Sequence, residues 1–265
     1  MQYDISFAMA RAFPLRATEV RIEWELMLTA MPLDRFRFRV LRSGQVNGPF
    51  ETVAEDLSPN SRSFVDTSAT LTHRVYWPLW FVEIYDPADT WTKRSSAIEL
   101  SRMFNRMALK IISMEYNYLA RARKGYGIEC VLHSIKQWGP RCPVCWDSVK
   151  MKMTKSNCVV CYGTGYAGGY YDPVTVWLRY SAPQKSVKVS DQGQAETEMR
   201  QAWTIPSPEM HMNDVIIDPM LSKAYRIVDA NSHSEVRGGP MRQFLQLKLL
   251  GRGSVEYKLM EERRP

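Results

Sequence analysis

Two closely spaced cysteine pairs decide how this sequence is interpreted: Cys142-Pro143-Val144-Cys145 and Cys158-Val159-Val160-Cys161, with twelve residues between them. Each C-x-x-C pair can form a tight turn that offers two thiolates to one ion, so the spacing predicts a tetrahedral zinc site. The two pairs contain no histidine or carboxylate, and four thiolates would leave no coordination position for water. The sequence therefore predicts a structural Zn²⁺ whose metal ligands are Cys142, Cys145, Cys158 and Cys161.

Redox and disulfide chemistry are the alternatives for these cysteines. A redox C-x-x-C motif comes singly and opens a helix after a strand, which this pattern does not match. The start, Met1-Gln2-Tyr3-Asp4, lacks the basic and apolar regions of a signal peptide, which disfavours disulfides. The fifth cysteine, Cys130, is expected to be an ordinary buried thiol. Four cations surround the pairs: Arg141, Lys150, Lys152 and Lys155. They can offset the negative charge of a four-thiolate centre, or they can contact nucleic acid.

The second cysteine pair continues into a glycine-containing turn, Cys158-Val159-Val160-Cys161-Tyr162-Gly163-Thr164-Gly165. This stretch resembles the C-x-x-C-x-G-x-G repeat of the DnaJ-type cysteine-rich domain. The first pair lacks the glycines, and no His-Pro-Asp signature of a J-domain occurs in the chain. The resemblance implies local zinc-knuckle geometry, in which glycines let the backbone turn around the metal, and not a chaperone.

Length, composition and net charge limit the classes of protein to which the chain can belong. The chain has 265 residues, enough for two domains, and no apolar run approaches the ~20 residues of a membrane span, so no membrane partner is expected. The net charge of +7 makes acidic partners plausible, but it is spread thinly. The longest basic cluster, Arg121-Ala122-Arg123-Lys124, is better interpreted as the positive end of a helix.

Residues 1–90 have the alternation of a β domain. Val20–Leu26 and Phe36–Val40 place apolar residues at every second position, and turn-rich breaks separate these segments from further short strands. Regular strands separated by turns predict a β sandwich.

This segment resembles a fibronectin type III-like domain over roughly residues 15 to 86. The resemblance is carried by Trp24, Phe38–Ser43, Gly48-Pro49-Phe50, Val65-Asp66-Thr67 and Tyr76–Ile84. It implies a binding or spacer module with no chemistry of its own. No clear last strand is visible before a helical pattern begins, so the sequence predicts an open edge that another segment or subunit completes.

A long connecting helix is predicted over residues 91–125, so the fold class is mainly β with one long α-helix. Ser96-Ala97-Ile98-Glu99 fits a capping box, and apolar residues from Leu100 to Leu119 recur at three-and-four spacing. Gly125 is a natural stop. The methionine-rich stripe is expected to pack on its own neighbours, with a partner surface as the alternative.

The remaining chain is predicted to contain a four-cysteine zinc-knuckle insert over residues 126–172 and a small C-terminal β barrel over residues 173–265. Short strands with polar turns favour a closed or half-open barrel. Asn213–Asp218 followed by Lys223–Val228 looks like the small β barrels of tailed-phage head–tail joining and neck proteins.

Catalytic motifs are absent from the sequence. The four histidines are scattered, and there is no P-loop, no Rossmann glycine fingerprint and no Gly-x-Ser-x-Gly elbow. We therefore expect no catalytic or cofactor-binding residues, no enzyme activity and no small-molecule substrate.

The expected function is that of a structural virion protein of a tailed phage, a neck or head–tail connector component that is made in the host cytoplasm. It would self-associate into a ring and contact neighbouring virion proteins. Five cations are candidates for non-specific contact with packaged DNA, with ordinary solvated charges as the alternative. They are Arg121, Arg123 and Lys124 at the helix end, and Lys185 and Lys188 in the turn region from Ser181 to Ser190. A nucleic-acid-binding zinc-ribbon protein is the alternative, and an enzyme with an unrecognised site is the third candidate.

Overall fold

The chain is mainly β and divides into two compact units. The structure is a computed structural model that describes residues 5–28, 33–71, 77–100, 106–120, 126–137, 139–182, 184–190, 193–236 and 239–261. The first unit comprises residues 1–113 and 136–141, and the second comprises residues 114–135 and 142–265. We call them the two-sheet unit and the barrel unit.

The two-sheet unit consists of two antiparallel sheets. Its strands are β1 (Ile5–Arg16), β2 (Glu19–Leu28), β3 (Arg37–Ser43), β4 (Glu51–Leu57), β5 (Ser63–Asp66), β6 (Leu79–Tyr85) and β7 (Thr92–Arg94). One sheet has the order β1-β2-β5 and the other β4-β3-β6-β7. Alternation buries Ile22 and Trp24 of β2 and Phe38 of β3, and the Trp24 and Phe38 rings lie 5.4 Å apart. Apolar side chains from both sheets therefore share one core.

A last strand completes the second sheet, contrary to the expectation of an open edge. β7 pairs with β6, and Ile98 and Trp80 exchange backbone hydrogen bonds of 2.8 and 3.0 Å. Leu100 then forms a parallel bridge to Ala12 of β1. The predicted capping box at residues 96–99 is wrong because the stretch is extended and buries Ile98 and Leu100.

The helix is shorter than predicted. α1 spans Arg106–Ala120, 15 residues, and no longer helix occurs among the described residues. The prediction of one long α-helix over residues 91–125 is therefore wrong, since its first part is strand; residues 101–105 and 121–125 lie outside the described residues. Of the predicted apolar stripe, Ala108 and Leu119 are buried, Ile111 is partly buried, and Met107 and Met114 are exposed. Ile112, next to the stripe, is fully buried.

The barrel unit contains the remaining elements. These are β8 (Ile128–His133), β9 (Trp146–Asp147), β10 (Lys152–Met153), β11 (Val174–Tyr180), β12 (Gln184–Ser190), β13 (Gly193–Thr204), β14 (Val215–Asp218), β15 (Lys223–Val236), β16 (Gly239–Leu249), a 3₁₀ turn (Val255–Tyr257) and α2 (Lys258–Glu261).

Six of these strands form a closed antiparallel barrel. The order is β11-β8-β14-β15-β16-β13, and β13 returns to β11 through the pairs Arg179↔Trp203 and Tyr180↔Ala202. β12 pairs with β13 as an outlying hairpin strand. Closure leaves no open edge in the ring of six strands. The prediction of a small β barrel is confirmed, with β8 as an additional strand from the segment assigned to the cysteine insert.

Alternation along the barrel strands separates an interior from an outer wall. The interior core includes Leu132 of β8, Ile216 of β14 and Leu245 of β16. On the outer wall, Val215 and Ile217 pack with Leu259 of α2. The C-terminal α2 therefore covers part of the barrel's outside.

Candidate metal centre

The four cysteines lie in an insertion between two neighbouring barrel strands. β8 and β11 pair with each other, and residues 142–171, which we call the cysteine segment, lie between them in the chain. The segment returns to the barrel where the Tyr171 N–H donates to the Ser134 carbonyl at 2.9 Å. The buried Tyr170 packs against Val215 and Ile217 of the outer wall. The barrel therefore anchors one end of the segment.

The structure brings all four predicted ligands together. Their sulfur atoms lie within 4.8 Å of one another, and all four side chains are buried. The Sγ–Sγ distances are 3.9 Å for Cys142 and Cys158 and 3.4 Å for Cys145 and Cys161. A disulfide requires about 2.05 Å. Tetrahedral zinc with Zn–S bonds of about 2.3 Å places its sulfurs about 3.8 Å apart. The thiols are therefore free, and their arrangement is compatible with a zinc site.

Backbone hydrogen bonds shape the first knuckle. The Trp146 N–H donates to the Cys142 carbonyl at 3.1 Å, and the Thr154 N–H and hydroxyl donate to the Cys145 carbonyl at 2.8 and 3.1 Å. Between these residues, β9 and β10 form a short antiparallel hairpin. The chain leaves the cysteine cluster after Cys145, turns at the hairpin tip and comes back at Thr154.

The second knuckle depends on glycine. The Thr164 N–H and hydroxyl donate to the Cys161 carbonyl at 2.9 and 2.8 Å. Gly163 follows with φ +77°, and a Cβ atom there would lie 2.4 Å from the Ser156 carbonyl oxygen. Only glycine fits this position without a backbone shift. The Cys142 N–H donates to the Gly165 carbonyl at 2.9 Å, which joins the two knuckles.

The thiols differ in their electrostatic surroundings. The N–H groups of Cys161 and Val160 lower the pKa of Cys158 to about 7, because they stabilise a thiolate. Burial raises the pKa of Cys145. Burial also raises the pKa of Cys161, although the N–H groups of Gly165 and Gly163 partly offset the effect. A metal ion must displace the remaining protons, so binding at this site releases protons and strengthens as the pH rises.

The surface of the cysteine segment is both basic and apolar. Lys150, Lys152 and Lys155 are exposed, and the Lys150 ammonium group lies 4.0 Å from the Asp147 carboxylate. Val149 is 90% exposed and Met151 is 71% exposed. The cations were predicted from the sequence, but the exposed apolar tip was not. A Val-Lys-Met stretch gives no sign of exposure until the cysteines fix the hairpin.

The other residues singled out from the sequence are dispersed. Cys130 lies in the barrel interior with its Sγ 3.3 Å from the Tyr180 hydroxyl, and burial raises its pKa to about 12, as expected of a structural thiol. Lys185 and Lys188 lie on strand β12 and not in a turn. Arg121, Arg123 and Lys124 fall outside the described residues. Among the described residues, the four cysteines are the one group positioned to hold a metal ion.

Comparison with known proteins gives no family for the chain: neither the protein-family models nor the curated proteins contain a match. Within the described ranges, no helix combines the length and the apolar character needed to cross a bilayer.

Proposed function

We propose that the chain is a structural virion protein of a tailed phage, a neck or head–tail connector component that assembles as a ring. The observation that carries this proposal is the closed six-stranded barrel with a four-thiolate knuckle built between two of its strands. A barrel of this size is filled by its own side chains, and a four-thiolate metal has no position left for a substrate. Both parts are suited to scaffolding.

The metal in this proposal is a structural Zn²⁺. The supporting observations are the all-sulfur ligand set, the burial of the four thiols and the Sγ–Sγ distances near the tetrahedral value. Zinc binding would provide the folding free energy of a segment that has few apolar contacts of its own. No enzyme activity or small-molecule substrate belongs to this proposal.

The two-sheet unit would serve as a fibronectin type III-like binding or spacer module. Support comes from seven antiparallel strands in sheets of three and four, with the aromatic pair Trp24 and Phe38 in the shared core. β7 and its continuation occupy the position where an incomplete domain would need a partner's strand. Ring formation therefore does not require a partner's strand at this position.

Native mass spectrometry of the purified chain tests the proposal because it determines zinc content and subunit number together. We expect one zinc per chain and a closed oligomer, and mass spectrometry of the virions should find the chain as a structural component. A chain that stays monomeric at high concentration and cross-links to no virion protein would refute the ring.

A nucleic-acid-binding zinc-ribbon protein is the second candidate, favoured by the exposed lysines around the cysteine pairs. Fluorescence anisotropy with duplex DNA at several salt concentrations separates the two candidates. A ring component is expected to bind duplex DNA weakly, without sequence preference and with a steep loss of affinity as salt increases. Tight, sequence-specific binding by the isolated chain would favour the zinc-ribbon alternative.

A further inference from the structure

The hairpin of the first knuckle ends in a protruding apolar tip. Val149, Lys150 and Met151, which we call the knuckle tip, connect β9 to β10. Val149 and Met151 are among the most exposed apolar side chains of the described residues, and the Lys150 side chain is 67% exposed. Exposed apolar groups that protrude together and carry charge at their margin are typical of protein interfaces.

A groove in the two-sheet unit has the complementary character. It has a volume of about 310 Å³ and lies at the beginning of β4, with lining from Pro49, Phe50 and Pro78. The Phe50 ring is held edge-on by Phe81 at 5.2 Å and is covered by the Arg94 guanidinium at 4.2 Å. The apolar surface of the groove is thus fixed by its neighbours.

The groove's margin carries a carboxylate. Glu51 and Arg42 both line the groove, and the Glu51 side chain is 66% exposed although it pairs with Arg42 at 2.8 Å. Arg42 also pairs with the buried Asp66 at 3.0 Å, so its charge is divided between two carboxylates. An incoming ammonium group can therefore approach Glu51 from the solvent side. The knuckle tip offers such a group, Lys150, between two apolar side chains.

From this complementarity we infer that the knuckle tip of one copy inserts into the β4 groove of a second copy. Val149 and Met151 lie against Pro49, Phe50 and Pro78, and Lys150 pairs with Glu51. The partner is another copy because this chain carries both halves of the contact. The two halves are different surfaces, so one copy can bind a second through its tip and a third through its groove, and this head-to-tail contact forms a ring where the rotation between neighbours closes. The inference rests on the proposed ring and names the contact that builds it.

The test uses the full-length, zinc-loaded chain in sedimentation velocity experiments over a range of concentrations. Val149→Asp and Met151→Asp should each weaken self-association by about tenfold or more, because a charge would have to enter an apolar groove. Met220→Asp is the matched control, since Met220 is 78% exposed in the β14–β15 turn and lies outside the proposed contact. Its association should be unchanged. Zinc content is measured for every variant to verify that the knuckle is folded.

A charge exchange tests the pairing itself. Lys150→Glu and Glu51→Lys should each weaken association by about fivefold, and the double variant should recover most of the loss, as coupled charges do. Association unaffected by the tip variants and by the exchange would overturn this contact while leaving the ring intact. A wild-type chain that is monomeric at every concentration would overturn the ring itself, and the contact with it.

Discussion

At the residue scale, the cysteine pattern was sufficient to predict which side chains meet. Cys142, Cys145, Cys158 and Cys161 converge because C-x-x-C turns are local geometry, which sequence spacing encodes directly. The exposure of Val149 and Met151 was not predictable in this way. Apolar residues between polar ones usually indicate a buried face, and only the assembled knuckle shows that these two face solvent.

Loss of one thiol should abolish the metal site. We expect Cys158→Ser to reduce zinc content from one ion per chain to none and to unfold the segment from about residue 140 to 170, since metal binding supplies its folding free energy. Elemental analysis and protease sensitivity of that segment measure the effect. Cys130→Ala is the control, because Cys130 lies in the barrel interior and away from the cluster. Freshly purified wild-type protein with oxidised thiols and no zinc would contradict the metal assignment.

Asp66 gives the two-sheet unit a pH-dependent stability. Burial disfavours its charge, but hydrogen bonds from the Trp80 indole and Ser68, together with Arg42, outweigh burial and lower the pKa of Asp66. The stabilisation is complete above the ordinary carboxyl pKa of about 4 and is lost as the pH falls through the lowered folded-state value. Chemical denaturation between pH 2 and pH 7 should show this loss.

The substitution Asp66→Asn isolates that contribution. It should lower the free energy of unfolding at pH 7 by about 2 to 4 kcal/mol, because Arg42 loses a buried charged partner. The variant should also lose less stability than the wild type on acidification. Asp89→Asn, in an exposed turn, is the comparison. Identical pH profiles for wild type and Asp66→Asn would show that another group causes the acid sensitivity.

At the scale of the element, the strongly alternating strands were predicted and the ambiguous ones were not. β2 and β3 were identified from apolar residues at every second position. The stretch from Thr92 to Leu100 was interpreted as a helix start because Ser96-Ala97-Ile98-Glu99 matches a capping box. Its burial on β6 and β1 prevails over that local preference, since strand pairing is a tertiary contact that a short motif does not report.

The conformation of the second knuckle should depend on Gly163, because this residue forms its tight turn. Gly163→Ala adds a Cβ atom 2.4 Å from the Ser156 carbonyl oxygen at a residue with φ +77°. We expect zinc affinity to fall by about tenfold or more, measured by competition with a chromogenic chelator. Gly251→Ala is the control because nothing lies within 4 Å of its added Cβ. Equal affinities in both variants would mean that the knuckle tolerates a displaced turn.

At the scale of the whole molecule, barrel closure could be proposed from the sequence but its strand set could not. β8 is separated from β11, its partner, by the cysteine segment, so the pairing is remote in sequence. β12 was assigned to a turn region, although Gln184–Ser190 forms a strand paired with β13. Both errors arise because a short strand is stabilised by pairing with its neighbours in the sheet more than by the propensity of its own residues. The predicted domain limits stay a prediction.

Metal removal should affect the two units differently. The cysteine segment packs on the barrel through Tyr170, whereas the core of the two-sheet unit is formed by its own sheets. We expect two transitions in calorimetry of the zinc-loaded chain, and a chelator should lower only the transition of the barrel unit. A chelator that shifts both transitions together would contradict independent stabilities.

The cysteine segment begins and ends on strands that already pair with each other, with the Tyr171 N–H bonded to the Ser134 carbonyl at its base. Because β8 and β11 pair with each other directly, and because closing a longer loop adds little entropy cost, the strand order of the barrel does not require a segment of this length between them. Related chains can therefore exchange this segment for one of another length or chemistry without redesigning the barrel.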